Sequence, residues 1–177
     1  MERAYVMINC ETGAEDSIIS NLKQIDTVKE AHGTFGTFDI ITKLESDSEE
    51  KIRNDLTKKI RKVQKIRATL TLIAHNHEDS FAKKLAQEEK EVLERYMAQA
   101  YVLINCKKTA EPEVLRNLSE IPDVIEGNVV IGYYEILCRI IAPTYNDISD
   151  VITKKIRKFK NIKSTSTLNI IEEQGRY

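Results

Sequence analysis

Two short segments hold the residues best suited to chemistry in this sequence. Gly36-Thr37-Phe38-Asp39 sets a glycine three residues ahead of a carboxylate, and Gly132-Tyr133-Tyr134-Glu135 repeats the arrangement 96 positions later. Glycine adopts backbone angles closed to other residues and lets a ligand approach the main chain. The carboxylate beside it suits an ammonium group. The hydroxyls of Thr69 and Thr71, and of Thr165 and Thr167 in the second segment, can hydrogen-bond a carboxylate or a polar side chain. A plain structural reading stands beside this one: Gly36 makes a turn, Asp39 serves local hydrogen bonds, and the threonines supply β propensity. Glu135 is longer than Asp39 and Tyr133 bulkier than Thr37, so two sites built this way would differ in preference.

Other reactive residue types form weaker patterns. Lys58, Lys59, Arg61, Lys62, Lys65 and Arg67 form a basic run, repeated by Lys154, Lys155, Arg157, Lys158, Lys160 and Lys163. On a helix these surround Ile60 or Ile156 and make a positive face that could hold phosphates by charge, without base-specific contacts. No aromatic interleaving accompanies them, and Glu45, Asp47, Glu49, Glu50 and Asp55 stand near enough to neutralise much of the charge. His75 and His77 flank Asn76 as a weak metal alternative, without supporting Cys-x-x-Cys or His-Glu-x-x-His spacing. Cys10, Cys106 and Cys138 are expected to be buried thiols. No triad, paired carboxylates or glycine-rich phosphate loop recurs in both halves, so neither catalytic residues nor a cofactor is expected.

The elements that must position these residues are written twice. Ala4 to Cys10 returns as Ala100 to Cys106, and with the same offset of 96 and no gap, 26 of the 70 positions from 4 to 73 are identical. Each copy predicts β-α-β-β-α-β. Val6, Ile8 and Cys10 alternate with Tyr5, Met7 and Asn9 as a strand, and Ile18, Ile19, Leu22 and Ile25 recur at helical spacing. The second copy answers with Val114, Leu115, Leu118 and Ile121. Ser48 is a candidate cap for a second helix carrying Ile52, Leu56, Ile60 and Val63. That order is an α+β, ferredoxin-like arrangement of two tandem repeats, 1–76 and 99–177. Its sheets are expected to pack face to face, with Ile8, Ile40, Ile104 and Ile136 between them. The connector over 77–98 predicts a helix starting at Asp79 or Ser80, and about twenty helical residues span roughly 30 Å.

Composition bounds the rest. The 177 residues are 41% hydrophobic and carry 27 basic against 28 acidic side chains, so no global charge announces a nucleic-acid or membrane partner. No apolar run is long enough to span a bilayer, and MERAYVMINC has no leader pattern, so a reducing cytoplasm is the expected compartment.

Each copy resembles the ligand-binding (RAM) domain of the Lrp/AsnC feast-famine transcriptional regulators. The residues that carry the resemblance are the Ala-Tyr-Val-Leu-Ile type first strand, Ile121-Pro122-Asp123-Val124, the Gly36 to Asp39 hairpin, and Thr69-Leu70-Thr71. The resemblance is to stand-alone members without a helix-turn-helix. It implies that the hairpin residues and threonines contact an effector, often an amino acid. It also implies a homo-oligomer, acting by effector-dependent assembly or by joining a DNA-binding relative. Rival readings are a dimeric α/β-barrel enzyme or metal-binding protein, and a structural assembly protein that touches DNA only non-specifically.

Overall fold

The computed structural model describes residues 1–74 and 79–171. The chain divides into two compact units: residues 1–75 together with 170–177, and residues 76–169.

In the first unit the elements run β1 (Glu2–Cys10), α1 (Glu15–Leu22), β2 (Val28–Phe35), β3 (Ile40–Ser46), α2 (Glu49–Lys58), a 3-10 turn at Ile60–Lys62, and β4 (Ile66–Ala74). The strands pair antiparallel in the order β4-β1-β3-β2. Helix α2 begins where the sequence predicts, the Ser48 hydroxyl accepting the Lys51 N–H at 3.2 Å. Ile18, Ile19 and Leu22 of α1 and Ile52 and Leu56 of α2 are buried against Ala4, Val6 and Ile8. At the rear of this core Asp55 accepts the Thr27 hydroxyl at 2.7 Å and faces Lys59 at 3.2 Å.

Burial alone would raise the Asp55 carboxyl. The Thr27 hydrogen bond and the Lys59 ammonium outweigh it and hold the pKa below the usual carboxylate value. A carboxylate with a depressed folded pKa stabilises fully above its unfolded pKa and loses that contribution as pH falls through the folded value. Asp55→Asn is therefore expected to flatten part of the acid-side fall in melting temperature, measured by thermal melts at descending pH. An unchanged acid profile would refute the assignment.

The second unit holds β5 (Ser80–Ala82), α3 (Gln87–Tyr96), β6 (Ala98–Cys106), α4 (Glu111–Ser119), β7 (Val124–Val129), β8 (Ile136–Ala142), α5 (Tyr145–Lys154), a 3-10 turn at Ile156–Lys158, and β9 (Ile162–Ile170). Its sheet runs β9-β6-β8-β7-β5, again antiparallel. Thr144 and Asp147 close a capping box on α5. The apolar faces of α4 and α5 form one cluster with Val102, Ile104, Ile136 and Ile140.

The connector departs from the expected single helix. Ser80–Ala82 is a strand laid on β7, and the helix starts only at Gln87, capped by Ala86 without a side-chain bond. The reason lies in Phe81, which packs on the core of this unit and sits over Gly127. A backbone paired along β7 satisfies its own amides there, so the helix cannot begin until that strand is left. No residue of α3 is buried.

Ile8, Ile40, Ile104 and Ile136 lie on the helix side of their sheets, contrary to the expectation that they fill a space between sheets. The opposite face carries Tyr5, Met7, Ile41 and Leu72 in one unit, and Tyr101, Leu103 and Leu137 in the other, all buried. Charged residues share that face. Register aligns Glu30, Lys43 and Tyr5 across one sheet and Glu126, Arg139 and Tyr101 across the other.

Candidate functional site

The hairpin residues are brought to the end of the first strand in each unit. Gly36 (φ 149°) and Gly132 (φ 152°) hold backbone angles that favour glycine, so the turn fixes their identity. Asp39 N–H donates to the Ile8 carbonyl at 2.9 Å, and its Oδ2 accepts the Cys10 N–H at 2.9 Å. Glu135 does the same in the second unit: its N–H bonds Ile104 O at 3.1 Å and its Oε2 accepts the Cys106 N–H at 3.1 Å. Each carboxylate is thus tied by one oxygen to the end of its strand. The Cys10 thiol also hydrogen-bonds Asp39, whereas Glu135 Oε1 accepts no bond from the described residues.

The threonines stand across the sheet from the hairpin. Thr69 lies opposite Ile8, and Ile8 lies opposite Ile40, so Thr69 and the hairpin reach the end of β1 from its two sides. Thr71 sits two residues deeper, opposite Val6, and its hydroxyl is buried with no hydrogen-bond partner among the described residues. Thr165 and Thr167 occupy the same places opposite Ile104 and Val102. Thr37 and Gly36 are exposed, Phe38 and Tyr134 half-buried, and Tyr133 stands out at 80% exposure, with Ile131 exposed as well.

In the second unit a network ties hairpin to last strand through a residue the sequence reading passed over. In the orientation that satisfies both ends of its amide, Asn105 donates to Tyr133 O and Glu135 Oε2 at 3.0 Å each. Its oxygen accepts from the Ser164 hydroxyl at 3.0 Å. Beyond Ser164, Arg157 Nε donates to Thr165 Oγ1 at 2.8 Å. Arg157, Ile162, Lys163, Ser164 and Thr165 line an open cavity of about 380 Å³. Asn105 has its counterpart in Asn9, but Ser164 is matched by Ala68, so this network has no full repeat to reveal it.

The basic runs are not continuous helix faces. Helix α2 ends at Lys58, Lys65 is a left-handed turn residue (φ 73°), and Arg67 belongs to β4. Asn161 (φ 76°) makes the same turn in the second unit. Part of the charge is paired locally: Arg53 with Glu49 at 2.6 Å, Lys59 with Asp55 at 3.2 Å, and Lys154 with Asp150 at 3.4 Å.

The thiols are poor nucleophiles. Burial, assisted by nearby carboxylates, pushes Cys10 and Cys106 up to about 11 and Cys138 up to about 12. Among the described residues no group of three or more His, Cys, Asp or Glu comes together as a metal site; His75 and His77 lie outside those residues. None of the described helices is long and apolar enough to cross a membrane.

Comparison with known proteins follows the repeat. The crystal structure of FFRP-DM1 is 33% identical, spanning 42% of this chain and 100% of that one at a TM-score of 0.41. A hypothetical protein, PHS023 from Pyrococcus horikoshii, is 32% identical over 44% of this chain and 93% of its own, at a TM-score of 0.42. The siroheme decarboxylase NirDL covers 98% of this chain and 73% of its own at a TM-score of 0.70. At 11% identity that likeness is one of fold alone. No curated protein matches the chain. The model of the Lrp/AsnC ligand binding domain matches residues 3–78 and again 99–175, the two repeats in full, and the chain belongs to that family.

Proposed function

We propose that the protein is a small-molecule sensor acting in transcription regulation, with an amino acid as effector and the hairpin with the last strand of each repeat as its site. The observation that carries the reading is the half-committed carboxylate at the hairpin. Glu135 is fixed by one oxygen and keeps the other for a donor, and Asp39 stands at the same place in the first repeat, each carboxylate beside a glycine that opens the main chain. An α-ammonium group fits that acceptor, and the threonine hydroxyls across the strand supply partners for the carboxylate end. The two repeats differ at these positions, so their preferences differ. Output comes through self-assembly or by joining a DNA-binding relative of the family, ligand and assembly being coupled by linkage. Fold does not favour an enzyme over a sensor here.

Thermal unfolding against the twenty amino acids tests this. A ligand at saturating concentration is expected to raise the melting temperature by a few degrees. Asp39→Asn and Glu135→Gln keep an acceptor for the strand amide and remove the negative charge. At least one of them is expected to abolish the shift while leaving the unliganded melt in place. Silence across all twenty would overturn the amino-acid reading.

A further inference from the structure

The cavity over β9 has a chemistry of its own. Two cations, Arg157 and Lys163, line one opening together with the Thr165 hydroxyl. Elsewhere the chain neutralises basic side chains with an acid one turn back, as in Arg53 with Glu49 and Lys154 with Asp150. At this cavity the residue one turn before Arg157 is Thr153, and among the described residues no carboxylate pairs with Arg157 or Lys163. Arg157 is also positioned rather than free. Its Nε–H is spent on Thr165 Oγ1 at 2.8 Å, which holds the guanidinium against the strand and leaves both Nη groups as donors.

We infer that this cavity binds a compact anionic group, the phosphate or carboxylate of a small molecule. A fixed guanidinium with a second cation and an adjacent hydroxyl matches the geometry of tetrahedral and planar oxyanions. The inference deepens the sensor reading, since it names the class of ligand the second repeat takes. It also makes that repeat unlike the first. Repeat one places Arg61, Arg67, Ala68 and Thr69 at the equivalent positions, and among the described residues Arg61 makes no bond to Thr69. The guanidinium is not pinned there.

Titration calorimetry of the full chain with inorganic phosphate, pyrophosphate and succinate tests it and separates phosphate from carboxylate sources. The expected result is saturable binding of at least one probe, weakened about tenfold or more by Arg157→Gln and several-fold by Thr165→Val, and untouched by Arg61→Gln. Thr165→Val nearly keeps the side-chain volume, so it keeps the comparison valid if Arg157→Gln fails to fold. Absence of binding by all three probes overturns the inference. So does equal weakening by Arg157→Gln and Arg61→Gln, which would mark a diffuse basic surface. Anion binding without any amino-acid shift would sink the amino-acid reading alone, and the reverse would sink this inference alone.

Discussion

Arg139→Ala is expected to destabilise the second unit by about 3–5 kcal/mol, the range for breaking a buried charge arrangement by removing one member. Arg139 is 7% exposed on β8. Its Nε and Nη2 donate to Gln99 Oε1 at 3.1 and 2.5 Å, and its guanidinium lies 5.3 Å from the centre of the Tyr101 ring. Register sets it directly opposite Glu126, itself buried. Removing the guanidinium leaves the Gln99 carbonyl in a dry place without its donor and takes the cation from opposite the buried Glu126, and buried polar atoms cost most when orphaned. Arg139→Met together with Glu126→Gln removes both charges at nearly constant volume and is expected to recover much of the loss. Urea unfolding of the single and double variants measures this; a single-variant cost below about 1 kcal/mol would mean that water compensates the site. The equivalent group in the first unit, Lys43, lies 5.9 Å from the Tyr5 ring, with Glu30 at 3.9 Å and Glu45 at 3.4 Å.

Gly127→Ala is the second large effect, expected at about 1–3 kcal/mol, the usual cost of overpacking. A methyl on Gly127 would overlap Phe81 Cε1 and lie 2.9 Å from its Cζ and 3.1 Å from Leu115 Cδ1. Phe81 pairs directly with Gly127 across β5 and β7, so the ring has to turn aside to admit the methyl. Repeat one carries Ala31 at this position, buried. Phe81→Ala in the Gly127→Ala background is expected to cost less than Phe81→Ala alone. A double-mutant cycle on denaturant midpoints gives that coupling, and strict additivity would show that ring and glycine do not depend on each other.

The repeat, the element order and the hairpin carboxylates were legible in the residues because each is a local pattern. Alternation in Tyr5 to Cys10 announces a strand with two faces. It does not say which face receives the helices, and a reading one residue out turns every side chain over. That is why Ile8 and Ile40 were expected on the wrong side. Phe81 looked helical because Leu85, Val92 and Tyr96 follow at ragged helical spacing, and its partner Gly127 stands far off in sequence. The tie from Asn105 to Ser164 and the bond from Arg157 to Thr165 join residues by register and turn geometry. The second copy departs from the first at Ser164, so the comparison of copies, the strongest tool the sequence offers, passed over it.

The division of the chain has a consequence for the order in which the protein can be made. Ser80–Ala82 of the connector goes with the second unit, and Ile170 and Ile171 go with the first, where Ile171 N–H donates to the Gly33 carbonyl at 2.9 Å. A ribosome delivers repeat one long before residue 171. The nascent first unit therefore waits with the Gly33 carbonyl of β2 unmet while the whole second repeat is synthesised, and an exposed strand edge is a site for wrong pairing. The second unit meets no such delay, because β5 precedes the strand it covers. Duplication within one chain thus imposes a schedule on folding that two separate copies would not share.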